Sequence, residues 1–293
     1  FDTAGIDTQT QPGDDFFRYA NGTWLDNTQI PSDKPAVSFR LQMTDRTEAR
    51  LHDMMEASAK TVAHQPSDLE GKVGAFYKSF MDEARVDALG ATPLDPLLND
   101  VRTAKTRDQL AALMGRNNAD LEASLFNFFI DVDLKDPTHY AVYLSQGGLG
   151  LPDRDYYLKP DFATQKAKYE IDVAQLLHLL NWPDADARAK DVVAFETKIA
   201  DASWTKAQQR DPVATYNPVD VSALDTMAPG FAWKDFLNEA NLGKATRVIT
   251  AEKTAFPKLA AIYAATPVEV IQAWQAFHIA DNAAPYLSKP FTD

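Results

Sequence analysis

Three pairs of polar residues, each just ahead of an apolar run with helical spacing, constrain this chain most. Ser67 with Glu70, Thr106 with Gln109, and Thr266-Pro267 with Glu269 have the form of capping boxes. In such a box a hydroxyl, and a carboxyl or amide three residues on, satisfy the free N–H groups that open a helix. After the first box Leu69, Val73, Phe76, Tyr77, Phe80, Met81 and Ala84 share one stripe, and Gly90 offers a stop. Leu110, Leu113 and Met114 follow the second box, and Val270, Ile271, Trp274 and Phe277 the third. Further stripes predict helices over 162–180, with Tyr169, Val173, Leu176, Leu177 and Leu180 inward, and over 185–204, with Val192, Phe195 and Ile199 inward. The short Asn181-Trp182-Pro183-Asp184 joint makes these two an antiparallel pair. The fold class that follows is mainly α.

One region departs from helical spacing. Residues 124–132 (SLFNFFIDV) and 140–144 (YAVYL) are aromatic and β-branched, and Lys135-Asp136-Pro137-Thr138 between them reads as a turn, so one short β-hairpin is expected. An isolated hairpin is marginal in water, so it should pack on the helices or on another part of the protein. The chain shows no internal repeat and no low-complexity linker, and its proline-containing joints are too short for tethers. A single domain with an N-terminal arm fits this pattern, the polar residues 1–13 forming an exposed leader before a first ordered element near Asp14. That leader lacks the basic and apolar regions of a signal peptide.

With 293 residues, 45% of them hydrophobic and 24% charged, the chain can bury a large core. A formal charge of −13 would repel phosphate backbones, so nucleic acid is excluded as a partner. No apolar run reaches the ~18 residues of a membrane span. Zero cysteines remove disulfides, thiolate nucleophiles and Cys-type zinc sites together.

Reactive constellations are scarce. A zincin needs two imidazoles one helical turn apart and a glutamate beside the first, and no HExxH occurs among the five histidines. His52 lies four residues after Glu48, which suits a solvated helix pair, and His278 sits beside Phe277 and three residues before Asp281. His64, His139 and His178 have no partner that spacing names. G-x-S-x-G, P-loop and G-x-G-x-x-G patterns are absent. Gly147-Gly148-Leu149-Gly150 lacks the Lys-Ser/Thr of a phosphate cradle and reads as a loop. Residues 151–157 (LPDRDYY) concentrate Asp153, Arg154, Asp155, Tyr156 and Tyr157; Arg154 could clamp a carboxylate, or fix its own loop by pairing with Asp153 or Asp155. Asn21, between Tyr19 and Trp24, reads as a turn residue.

Four dense patterns nonetheless occur in order: residues 15–25 (DFFRYANGTWL), 151–157 (LPDRDYY), 211–217 (DPVATYN) and 285–291 (PYLSKPF). In this order they resemble the N-terminal region of the M13 family of zinc metallopeptidases, the group of neprilysin, endothelin-converting enzyme and bacterial PepO. Asp15, Phe16, Phe17, Tyr19, Gly22, Trp24 and Leu25 fall on the family's D-F-[FY]-x-Y-x-x-G-x-W-L opening. Arg210-Asp211-Pro212 with Tyr216-Asn217 is similar to its R-x-D-P/R-D-P…Y-N segment.

The resemblance implies a piece of a two-lobed enzyme. Its helical lobe, faced by a thermolysin-like lobe with HExxH, would enclose a cavity and restrict access to short peptides. On this reading residues 1–60 are the N-terminal arm and first helix, and residues 61–293 an incomplete helical access-limiting domain. The zinc of the parent enzyme is bound by residues outside this chain, so no catalytic or metal residue is assigned here and no substrate-binding residue is named. In some members an arginine after the opening motif binds the substrate's terminal carboxylate; alignment through Phe39 puts Met43 there and leaves Arg46 out of register. The parent would be a peptidase, this segment alone would not, and its partners would be the downstream catalytic region and short peptides. The cysteine-free opening resembles bacterial members and implies an extracytoplasmic place. Two other readings stay open: a stand-alone helical binding or scaffold protein derived from such an enzyme, and a helical glycosidase, which would need two carboxylates ~5–9.5 Å apart in one deep cleft.

Overall fold

A computed structural model of the chain describes residues 3–61, 68–121 and 124–292. It divides into two compact units, Phe1–Asp82 and Glu83–Asp293. The first unit thus groups the helix after residue 68 with the arm, whereas the sequence reading divides the chain after residue 60.

In the first unit, helix α1 (Phe16–Asn27) is opened by Asp15, whose carboxylate accepts from Arg18 N at 2.8 Å. Gly5 to Asp7 are docked on it, so the expectation of an exposed leader fails there, while Gln11 to Gly13 are exposed. Asp7 N donates to Tyr19 O at 2.8 Å, and Thr23 Oγ1 donates to Ile6 O at 2.7 Å. Asn21 and Gly22 lie inside this helix, not in a turn: Asn21 Nδ2 donates to Phe17 O at 3.1 Å. A Cβ on Gly22 would lie 2.5 Å from the Cβ of Asp7, so only glycine lets the preceding segment lie this close.

Ser38 caps helix α2 (Phe39–Lys60), its hydroxyl accepting from Leu41 N. Asp68 caps helix α3 (Leu69–Met81) through Gly71 N. The expected cap, Ser67, lies outside the described residues. α2 and α3 meet where Gly74 faces Ser58 O, which a Cβ would approach to 2.6 Å. The predicted stripe stops short, because the backbone leaves the helical region at Asp82 and restarts as helix α4 (Glu83–Leu89), ended by Gly90 at φ 55°. Leu69, Phe76 and Phe80 stay at least half exposed, as do Phe39 and Met54 on α2.

The second unit holds the core. Its helices are α4, α5 (Asp95–Thr103), α6 (Arg107–Leu121), α7 (Asp155–Leu158), α8 (Ala163–Leu179), α9 (Ala185–Ala202), α10 (Lys206–Gln209), α11 (Leu224–Met227), α12 (Trp233–Glu239), α13 (Phe256–Ala265) and α14 (Val268–Ala283). From Ala273 to Ala280 every residue of α14 is buried, which marks it as the central helix. It packs on α5, α6, α8 and α9. The Thr106–Gln109 box forms as expected: Gln109 N donates to Thr106 Oγ1 at 3.2 Å and Thr106 N to Gln109 Oε1 at 3.3 Å. The third box does not form. Thr266 ends α13 instead, its hydroxyl donating back to Ile262 O at 2.7 Å, because only Pro267 separates it from α14. The α8 and α9 bounds fall within two residues of expectation, and their joint turns on Asn181 and Asp184 at φ 50° and 54°. Every residue expected inward on these two helices is buried.

The hairpin is present as β1 (Phe126–Asp133) and β2 (Asp136–Gln146), but its turn is Leu134-Lys135 and Pro137 lies within the strand. β2 meets its other neighbour only at Tyr143 and Leu144, so the edge at Pro137 is free and a missing N–H costs nothing there. Two strands unforeseen from sequence, β3 (Asn217–Asp220) and β4 (Arg247–Thr250), widen the sheet to the order β1-β2-β4-β3, with β2 and β4 parallel. At four residues each they are too short to show alternation. Among the described residues no helix is long and apolar enough to cross a membrane.

Candidate functional site

The densest polar centre of the second unit lies around one carboxylate, Glu196 of α9, which is fully buried. Its Oε2 accepts from the hydroxyls of Tyr157 at 2.7 Å and Tyr169 at 2.8 Å. Its Oε1 pairs with Trp274 Nε1 at 3.1 Å and His278 Nε2 at 2.8 Å. Burial first, and then the charge of Glu196, pushes both tyrosine hydroxyls upward in pKa, so they remain donors at any ordinary pH. Tyr157 is also an acceptor, taking Leu151 N at 2.9 Å. Gly150 leaves the space for Tyr169, since a Cβ there would sit 2.0 Å from its hydroxyl. Sealed from solvent and fully partnered, this group fastens α7, α8, α9 and α14 together; it has no open face for a substrate. Sequence reasoning passed over Glu196, although a carboxylate four residues after Val192 and three before Ile199, on an otherwise apolar stripe, is a readable signal.

A second centre ties the sheet. Asp133 is buried and accepts from Tyr216 Oη at 2.6 Å, from Lys135 N at 3.0 Å and from Arg247. Tyr216, then Lys135 N–H and the Arg247 guanidinium, hold its carboxyl down to about 2. Asn217, beside Tyr216, donates to Ala214 O at 2.7 Å and Thr250 O at 3.0 Å, so the DPVATYN pattern closes β3 onto β4.

The LPDRDYY pattern resolves in favour of structure. Arg154 Nε donates to Ala200 O at 2.9 Å, placing its charge at the C-terminus of α9, while Asp155 stands 3.9 Å away. Gly147 to Leu149 and Leu151 to Arg154 line a cavity of about 170 Å³, which Trp204, Lys206 and Gln209 also line. Gln146 fixes Trp204, exchanging bonds with it through Oε1 at 2.7 Å and Nε2 at 3.0 Å. Buried Glu252 accepts from Gln146 N and Gln209 Nε2, both at 2.8 Å, and burial raises its pKa. In the last pattern, PYLSKPF, Leu287, Ser288 and Phe291 are buried and Lys289 N donates to Asp87 at 3.0 Å.

The four described histidines do not converge. His52 pairs with Tyr77 Oη at 3.3 Å and Glu56 at 3.7 Å, not with Glu48. His139 bonds Asp136 and His178 bonds Asp186, both on the surface. His278 turns to Glu196 and not to Asp281, and His64 lies outside the described residues. Among the described residues no group of three His, Asp or Glu side chains is placed to hold a metal ion. Met43, the residue at the aligned arginine position, is an exposed residue of α2.

Comparison with known proteins fits this arrangement. The N-terminal model of peptidase family M13 matches residues 12–293. Endothelin-converting enzyme-like 1 of Rattus norvegicus is 24% identical over the whole chain, which covers 40% of that protein. Endothelin-converting enzyme 1 of Homo sapiens is 24% identical over 99% of the chain and 39% of its own length. The chain therefore spans about two fifths of these relatives. Among solved structures, the Mycobacterium tuberculosis zinc metalloprotease in complex with an inhibitor superposes with a TM-score of 0.85 at 29% identity, over 100% of this chain and 45% of that one. PepO from Lactobacillus rhamnosis shares the fold at a TM-score of 0.72 and 20% identity, over 97% of this chain and 45% of its own. The ordered patterns, the helical fold and the matching model agree, and the chain belongs to peptidase family M13, as its N-terminal region.

Proposed function

We propose that this chain is the non-catalytic helical part of a zinc metalloendopeptidase, walling a peptide-binding cavity and limiting substrates to short peptides. Residues 1–60 would serve as arm and first helix and residues 61–293 as the access-limiting domain. Zinc and the water it activates would be held by residues outside this chain, whose four described imidazoles each have a separate partner. A wall of this kind supplies no reacting group. It acts by excluding folded proteins and by holding an extended peptide in place.

The observation that carries the reading is the family match to an N-terminal region spanning about two fifths of its relatives. The apolar surface of the first unit supports it: Phe39, Met54, Leu69, Phe76 and Phe80 are each at least half exposed on two adjacent helices. Exposed apolar side chains on this scale suit contact with another polypeptide, and the downstream catalytic region is the occupant the family supplies. An extracytoplasmic, bacterial setting rests on the likeness to bacterial members.

The test is co-expression of residues 1–293 with the downstream region, with a short fluorogenic peptide as substrate and each piece alone as control. Zinc-dependent turnover is expected only from the pair. Full turnover by the downstream piece alone would favour a stand-alone binding role for this chain, and zinc-dependent cleavage by this chain alone would overturn the assignment of chemistry.

A further inference from the structure

From the cavity at the end of β2, we infer a binding site for the main chain of a short extended peptide. This deepens the proposed function, resting on it for the identity of the ligand but not for the geometry. β2 ends at Gln146, and Gly147 N is still tied to Leu125 O at 3.0 Å. Four residues later Leu151 N is tied to Tyr157 Oη. Between these anchors the N–H groups of Gly148, Leu149 and Gly150 have no partner within the described residues, nor do the carbonyls of Gly147 to Gly150. Gly147, Gly148 and Leu149 are half-buried and line the cavity of about 170 Å³.

A run of unpaired donors and acceptors beside a cavity is a template for another backbone, the same physics by which an exposed strand edge takes up a peptide. The side chains around it are already committed. Gln146 is bonded to Trp204, Gln209 to Glu252 and Arg154 to Ala200, so they shape the cavity and offer a ligand little. The cavity is smaller than the ~300–1,000 Å³ of a drug-sized site, which suits main chain bearing small side chains and excludes a bulky anchor. Lys206 stands at the rim, exposed, with no ion pair among the described residues. The run is tied at both ends, by Gly147 N on Leu125 O and by Leu151 N on Tyr157 Oη, which Glu196 holds in turn. Anchored ends lower the ordering cost when a peptide pairs with the residues between them.

The experiment is an amide NMR titration of residues 1–293 with acetyl-trialanine amide, which carries no charge, and with the same peptide N-methylated at its central residue. Saturable shifts are expected at Gly148, Leu149 and Gly150, with at least tenfold weaker binding of the N-methylated peptide. Lys206→Trp, on the exposed rim, should block the mouth and weaken binding at least tenfold while leaving the Tm unchanged. Shifts that do not saturate, shifts confined to other residues, or equal affinity for the N-methylated peptide would each overturn the site. Because this readout needs no catalysis, a positive titration with inactive co-expressed pieces keeps the site and removes the peptidase reading. An active pair with a silent titration does the reverse.

Discussion

If the Glu196 centre holds four helices of the second unit together, removing its two hydroxyl donors one at a time should give unequal losses. Tyr169→Phe removes a single bond, the 2.8 Å contact to Glu196 Oε2. A hydrogen bond to a charged group contributes about 1.5–3 kcal/mol. Tyr157→Phe removes a bond of the same kind at 2.7 Å and also orphans Leu151 N–H, which donates to the same hydroxyl at 2.9 Å. Since Leu151 is half-buried, the second loss takes the lower end of the range for an unsatisfied group, about 1 kcal/mol. The order is therefore Tyr157→Phe worse than Tyr169→Phe. In urea, a slope of roughly 3 kcal/mol per molar turns a 2 kcal/mol loss into a midpoint shift of about 0.7 M. Trp274 donates to the same carboxylate, and four of the five tryptophans lie in this unit, so tryptophan fluorescence reports chiefly its unfolding. The double variant should depart from additivity, because both hydroxyls serve one oxygen. Two shifts each below about 0.2 M, or the reverse order, would show that the carboxylate does not anchor these helices.

Three further outcomes follow from other centres. Asp133 has its folded pKa lowered to about 2 from an ordinary 3.8, so its stabilising contribution is present above about 4 and is lost as pH falls from there toward 2. Tyr216→Phe removes the first cause of that shift, so urea midpoints between pH 5 and pH 2.5 should fall less steeply than in the parent; parallel curves would refute the assignment. Arg154→Met keeps the aliphatic contact but takes the charge from Ala200 O at the end of α9, and thermal unfolding should show a loss of about 1 kcal/mol. Gly22→Ala improves helix propensity by about 1 kcal/mol but meets the Cβ of Asp7 at 2.5 Å, so hydrogen exchange at Asp7 N should quicken while α1 persists. Unchanged exchange would mean that the segment from Gly5 to Asp7 is not held by that contact.

Helices were legible wherever burial is one-sided and long. On α8 and α9 the stripe, the proline joint and the inward residues agree, because each helix turns a single apolar face to the core. The misses have local causes. Thr266 has the form of a cap but ends the previous helix, and a sequence pattern cannot tell which of two abutting helices claims a hydroxyl. β3 and β4 are short and held by Asn217 and Tyr216, so their pairing rests on side chains and not on alternation. Of the sites, Tyr157 was within view as a motif residue, but its partner lies 39 positions away and is joined to it only by tertiary packing.

The four patterns that carry the family likeness are spent on fastening. Tyr157 serves Glu196, Tyr216 serves Asp133, Asn217 closes two strands, Asp15 and Gly22 open and seat α1, and Lys289 N donates to Asp87. Each polar atom used in this way has its partner inside its own unit, and a group already satisfied in the fold gains nothing by meeting a substrate. The likeness therefore reads as a constraint on folding, and a search for reactive side chains among these residues looks in the wrong place. Apart from Asn117 Nδ2 and Gln275 Oε1, buried without a partner, an unpaired run among the described residues is backbone: the N–H groups of Gly148 to Gly150 and the C=O groups of Gly147 to Gly150. On the proposed function, a wall that held many peptide sequences would have reason to grip what all of them share, the main chain, and to leave discrimination to size and to residues outside this chain.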